Sequence, residues 1–259
     1  MLDSKVAIVT GSTSGIGLAI AKQLASSGCH IVLNGLAESE KIDTLLREIS
    51  DMGVNAQYIS ADMSKPDEIE AMIADVYQKH GRIDVLVNNA GVQHVAAVEE
   101  FSREAWDKVI AINLSSVFHA IKAVTPIMKQ QGWGRIINVA SIHGKVASPY
   151  KSAYVAAKHG VLGLTKTVAL ELATTGVTCN AICPGYVLTP LVENQISDTA
   201  KARGISEQQV MDDVLLGTQP TGRFTSADDV GAMVVFLCGA AANNITGSEQ
   251  VMDGGYISG

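Results

Sequence analysis

Cysteine, aromatic side chains and positive charge are all in short supply in this chain, and the shortages close off whole classes of protein. Only four cysteines occur in 259 residues, at 29, 179, 183 and 238, and no two stand in the C-x-x-C spacing of a metal knuckle or redox pair. Cys179 and Cys183 lie in the run Val177-Thr-Cys-Asn-Ala-Ile-Cys183, which reads as a strand. Four strand residues span about 13 Å, against the roughly 7 Å that a disulfide can bridge. Reduced core thiols and no metal site are therefore expected. Lys and Arg number 19 against 26 Asp and Glu, a net charge of -7, which disfavours nucleic acid and anionic membranes as partners. No apolar stretch reaches the ~18 residues of a membrane span, and no secretory leader precedes the first strand-like run, so a cytoplasmic protein is expected. Nothing resembling a repeat, low-complexity tract or linker divides the sequence. Its length suits one domain that buries roughly three quarters of its unfolded surface.

Acids are also missing locally. Between Lys108 and Leu170 there is no Asp or Glu, yet Lys108, Lys122, Lys129, Arg135, Lys145, Lys151, Lys158 and Lys166 all occur there. Such a window welcomes an anionic cofactor or substrate, although buried helix, where acids are rare, would produce the same pattern.

What is present alternates. Apolar β-rich runs at residues 6–10, 30–34, 56–60, 85–89, 135–140, 178–183 and 249–252 are separated by segments of helical spacing. This implies an α/β, Rossmann-type doubly wound parallel sheet of about seven strands, with helices on both faces and binding at the carboxyl ends of the strands. The first unit carries Thr10-Gly-Ser-Thr-Ser-Gly-Ile-Gly17 between strand and helix. Glycines at 11, 15 and 17 allow a tight turn and close backbone approach, so that amides at the helix N-terminus can hold a pyrophosphate. Their spacing is G-x-x-x-G-x-G, not G-x-G-x-x-G. Segment 188–219 is long and rich in polar helix formers, which suggests a lid.

Tyr154 and Lys158 stand four apart in Ser152-Ala-Tyr-Val-Ala-Ala-Lys158. On a helix they share a face, the ammonium beside the phenol, and a nearby cation draws a phenol from its usual pKa of about 10 towards the range of a working base. Alone, Tyr-x-x-x-Lys is a common solvated helix face, and a serine such as Ser141 ending an apolar run is a common strand-end cap. Their company with the glycine turn gives them chemical meaning. Asn113 interrupts a helical pattern over 106–128, where Asn is a poor helix former able to release a backbone group.

These features, with Asn88-Asn-Ala-Gly91 and Pro184-Gly185, resemble the short-chain dehydrogenase/reductase family over essentially the whole chain. The resemblance implies an oxidoreductase in which Asn113, Ser141, Tyr154 and Lys158 act together. Asn113 would anchor a relay water, Ser141 would bond the reacting oxygen, and Lys158 would also bond the nicotinamide ribose. The cofactor set would be Gly11, Thr13, Ser14, Gly15, Ile16, Gly17, Asn34, Asp62, Asn89, Tyr154, Lys158, Pro184, Gly185, Val187 and Thr189. NAD is expected over NADP, because Thr13, Ser14, Asn34, Gly35 and Leu36 offer no cation to a 2′-phosphate. No acid follows the second strand, so the preference rests on that missing cation and on the resemblance.

Within the family, Asn34-Gly35, Gln93-His94, Ser141-Ile-His-Gly144, Lys151-Ser-Ala-Tyr154 and Pro184-Gly-Tyr-Val-Leu-Thr-Pro-Leu-Val-Glu-Asn-Gln195 resemble a branch acting on small anionic 3-hydroxy and 3-oxo acids. The implied substrate pocket is Gln93, Ser141, His143, Lys151, Tyr154, Tyr186 and Gln195, with Gln93, His143, Lys151 and Gln195 around the carboxylate. Read alone, Lys151 would be a solvent-facing lysine at a helix start and Gln195 part of a solvated lid face. His94 packs locally in the same reading. Tyr186 stands where that branch usually carries Trp, which implies a smaller apolar wall. A homotetramer is the family expectation. The rivals are a 3-oxoacyl-carrier-protein reductase, which would want NADPH and a basic surface, and a nucleotide-sensing protein that keeps the fold without the chemistry.

Overall fold

The computed structural model describes residues 2–258, and in it all seven apolar runs become strands. They are β1 (Val6–Val9), β2 (His30–Leu33), β3 (Ala56–Tyr58), β4 (Val85–Asn88), β5 (Gly134–Val139), β6 (Val177–Pro184) and β7 (Glu249–Met252). All pair in parallel, in the order β3-β2-β1-β4-β5-β6-β7. Order reverses between β1 and β4, and a crevice opens at such a switch point above the carboxyl ends.

Residues along each strand alternate between two cores, as a period of two requires. Ile8, Leu86 and Ile136 face a cluster shared with α3 (Pro66–His80), α5 (Ser116–Gln131) and α6 (Ser152–Glu171). Val9, Val87 and Ile137 face the cluster on the other side, shared with α1 (Gly15–Ser26), α2 (Ser39–Ser50) and α10 (Ala227–Cys238). All four cysteines are buried and unpaired, and Cys179 and Cys183 lie on β6 as expected.

Two segments depart from the simple repeat. The helical run from Arg103 to Gln131 joins α4 (Arg103–Ile110), a π-helical turn (Ala111–Ser115) and α5. With a mean hydropathy of 1.3 over 18 residues it is long and apolar enough to cross a membrane, contrary to the expectation that no segment is. The expectation counted unbroken apolar residues, whereas this helix spaces its own on one face, and Val117, Ala120, Ile121, Val124 and Met128 pack against the sheet. The other segment is 188–219, which folds as α7 (Pro190–Glu193), α8 (Ile196–Arg203), α9 (Glu207–Gln209) and a π-helical stretch (Val210–Leu216). These pieces share a third, small core with Tyr186 and Tyr256.

Candidate active site

The glycine turn sits at the switch point and is shaped for close approach. Gly11 and Gly15 have φ of +63° and +54°, which only glycine adopts freely. A Cβ on Gly17 would fall on the Asn89 amide and the Gly11 carbonyl. Ser14 is the N-cap of α1, but its side chain makes no capping bond, which leaves the first amides of the helix to a ligand. These residues line a cleft of about 860 Å³, within the roughly 300–1,000 Å³ of ligand sites. All fifteen residues expected to hold the cofactor line it. Asn34 does so as a brace: its amide donates to the carbonyls of Ile59 (3.2 Å) and Ala61 (3.1 Å) and accepts from Gly11 N–H (3.4 Å). Asn89 donates to the carbonyls of Thr10 and Gly11. Asp62 stays open at the rim, its carboxyl held below the usual range by hydrogen bonds from Ser64. The cradle therefore fits a dinucleotide, with a carboxylate at one end and Lys158 at the other.

α6 brings Tyr154 and Lys158 to the cleft. A buried chain of hydrogen bonds fixes this helix to the sheet: Asn88 Nδ2 donates to Asn138 Oδ1 (2.9 Å) and Asn138 Nδ2 to Thr165 Oγ1 (2.8 Å). Small residues let it come close, since a Cβ on Gly144 would lie 2.8 Å from the Lys158 carbonyl and one on Gly160 would lie 2.9 Å from Leu114. Lys158 Nζ is 5.6 Å from the Tyr154 ring centroid and donates to the Val139 carbonyl at 2.8 Å. Burial pulls its ammonium down to about 8.

The direction at Tyr154 corrects the expectation. Burial pushes the phenol above its ordinary value, and the opposing influence is a hydrogen bond with Ser141 rather than the charge of Lys158. The cause is physical: a desolvated ammonium turned towards a carbonyl does less for its neighbour than the burial of that neighbour undoes.

Ser141 stands two residues after β5, and the structure bears out the reading of it as a strand-end cap. Its Oγ caps the turn Ile142–Gly144 by accepting from His143 N–H (3.1 Å), and it also faces Tyr154. Asn113 lies in the π-helical turn, fully buried and outside both cavities. Its side chain clasps Val92, donating to the carbonyl and accepting from the amide, both at 2.8 Å. Single π turns recur at functional sites, and this one fixes a loop that lines the cleft.

Beside Tyr154 a second cavity of about 60 Å³ collects all seven residues expected to hold a substrate. Lys151 is 7% exposed, so the solvent-facing alternative is excluded; burial, then the charge of Arg203, brings its ammonium down to about 8. His143 is 3% exposed and neither ring nitrogen has a partner. Burial, then the charge of Lys151, pulls it to about 3, so it is a neutral imidazole, held edge-on to Tyr154, Tyr186 and Tyr256 at 6.0–6.4 Å. Two orphaned nitrogens in a closed pocket are a polar demand that a ligand would satisfy. Gln195 caps α8 and donates to the Leu191 carbonyl. His94 packs edge-on to Phe101, the local role expected of it. Tyr256 and Arg203 escaped the sequence reading, because neither lies at a strand end and no local motif marks them.

The acid-free window resolves into two kinds of cation. Lys151 and Lys158 belong to the site, and Lys108 lines the cleft. Lys122 pairs with Glu70, Lys145 and Lys166 pair with Glu249, and Arg135 lies at the opposite end of β5, against Trp133. Part of the window thus lines the two cavities and part serves surface ion pairing.

A serine, a tyrosine and a lysine deep in a dinucleotide-shaped cleft suit hydride transfer, and the chain belongs to the short chain dehydrogenase family, whose model matches residues 5–200. Among curated relatives it is 56% identical over 256 residues to the D-beta-hydroxybutyrate dehydrogenase of Rhizobium meliloti, covering 98% of this chain and 99% of that one. It is 52% identical to the enzyme of the same name from Cupriavidus necator over the full length of both. A solved relative, a variant of actinorhodin polyketide ketoreductase with NADPH, superposes with a TM-score of 0.92 at 38% identity, covering 99% of this chain and 98% of that one.

Proposed function

We propose that this protein is an NAD-dependent D-3-hydroxybutyrate dehydrogenase, interconverting the hydroxy acid and acetoacetate. The observation that carries the reading is Lys151: a buried cation in a small cavity that also holds Ser141 and Tyr154 and is lined by no carboxylate. Such a group suits a short substrate with an anionic end a fixed distance from its hydroxyl. A carrier-bound 3-oxoacyl thioester has no charge there to use it. The relatives' names support the same substrate class.

NAD supplies the hydride acceptor when bound. In alcohol oxidation Tyr154, as phenolate, takes the hydroxyl proton while Ser141 hydrogen-bonds the same oxygen. Lys158 would bond the nicotinamide ribose and place positive charge beside the phenol. The side chain of Asn113 is committed to Val92, so any hold of Asn113 on a relay water would come through its backbone. Gln93, His143, Lys151 and Gln195 hold the carboxylate, and Tyr186 walls the methyl group. Segment 188–219 acts as the lid of the one domain, expelling water as it seats.

The preference for NAD rests on the mouth of the cleft, where Leu36 is 91% exposed and Thr13 donates to its carbonyl. Leu36→Arg should raise kcat/KM with NADP by roughly tenfold, the scale of one charge-assisted bond. Initial rates with both cofactors check this, and equal use of the two by wild type would overturn the argument.

A homotetramer is supported by large apolar side chains left exposed on the helices and at the sheet edge. Trp106, Phe118 and Leu170 are exposed on the helices α4 to α6, and Phe236 and Val251 beside the edge strand β7. Sedimentation velocity should give four copies, and a monomer would contradict it. The reading as a whole is tested by a panel of 3-hydroxy acids, 3-oxoacyl thioesters and sugars with both cofactors, in which D-3-hydroxybutyrate with NAD should lead.

A further inference from the structure

Arg203, the last residue of α8, has no part in the mechanism above, yet it faces Lys151. The two line one void with Tyr186 and Gln195, and those last two and Lys151 also line the substrate cavity. The void is about 10 Å³, room for a single water. No Asp or Glu lines either space. Among the described residues neither cation forms an ion pair, and Arg203 Nε is buried without a hydrogen-bond partner. Like charges in a poorly solvated space repel, so with nothing between them they push the end of α8 away from the start of α6, where Lys151 sits. A carboxylate between them turns one repulsion into two attractions.

We propose that Arg203 is a positioning residue, the lid's own cation for the substrate carboxylate, which makes seating of α8 depend on an anion held by Lys151. The inference rests on the reading of the cavity as a carboxylate pocket and adds to it a source of selectivity for acids over neutral analogues. It also links the lid to the titration of Lys151. The other titratable groups facing that ammonium are His143 from the turn after β5, Tyr154 from α6, Tyr186 after β6, whose ring centroid is 5.5 Å from Nζ, and Tyr150 beside it; Tyr256 stands behind His143 and Tyr186. None is an acid that could offset Arg203.

The test is steady-state kinetics of wild type, Arg203→Gln and Arg203→Lys with D-3-hydroxybutyrate and with its methyl ester, across the pH range of the Lys151 ionisation. Arg203→Gln should raise KM for the acid roughly five- to tenfold, the lower part of the usual range for coupled sites, and act on KM rather than kcat. The ester should be affected far less. Lys151 binds carboxylate in its protonated form, which falls away above about 8 in the wild type. Without Arg203 its ionisation moves up, so the alkaline rise in KM should shift to higher pH. Arg203→Lys should restore both KM and the pH profile. If wild type does not oxidise D-3-hydroxybutyrate, the substrate reading has failed and takes this inference with it. If wild type is active and Arg203→Gln leaves KM and the alkaline limb in place, the inference alone fails. An equal loss with acid and ester, unrescued by Arg203→Lys, assigns Arg203 to lid structure and likewise overturns it.

Discussion

Tyr154→Phe should lower kcat by roughly 10²–10⁴-fold, the range for removal of a general acid–base group, with NAD affinity and thermal stability left close to wild type. The expectation follows from geometry. Tyr154 is the ionisable hydroxyl that lies in the cofactor cleft and the substrate cavity together, and Ser141 beside it has no base of its own. Burial pushes the phenol up, so the phenolate needed for oxidation is the minority form near neutrality, and oxidation by the wild type should climb with pH. The variant has nothing to titrate and should lose that climb. Stopped-flow and steady-state rates across pH check both parts. A variant that keeps more than a tenth of wild-type turnover would show that the base lies elsewhere.

Lys151→Ala should cost roughly ten- to hundredfold in kcat/KM for the acid, from losing a charge-assisted bond worth about 1.5–3 kcal/mol in a closed site. Cofactor affinity should barely change, because Lys151 does not line the dinucleotide cleft. A methyl ester of the same acid offers no carboxylate, so wild type and variant should differ much less with it. KM for the acid should also rise in the wild type above pH about 8, where the Lys151 ammonium loses its proton, with no such rise for the ester. Kinetics of both proteins on both substrates settle the matter: equal harm to acid and ester would make Lys151 structural.

The sheet is legible because its inner strands, buried on both faces, show as apolar runs, while the edge strands β3 (Ala-Gln-Tyr) and β7 (Glu-Gln-Val-Met) are half-buried and carry a weaker signal. Ser141, Tyr154 and Lys158, which line the cleft, are legible because motifs with fixed spacing carry them. The rest depends on distance across the fold. The clasp of Asn113 on Val92 needs a π turn that no propensity marks. Tyr256 reaches His143 from near the C-terminus, and Arg203 reaches Lys151 from the end of α8, neither with a local signal. The direction of the Tyr154 shift was misjudged because i,i+4 spacing gives the neighbour but not the burial, and in this site burial is the larger effect.

The most direct test of the whole account is formation of NADH by the purified protein with D-3-hydroxybutyrate, set against the L enantiomer, and with a 3-oxoacyl thioester plus NADPH in parallel. The account predicts steady NADH formation from the D acid with saturating NAD, little from the L acid, and little consumption of NADPH with the thioester. No NADH from the D acid together with brisk turnover of the thioester would contradict it.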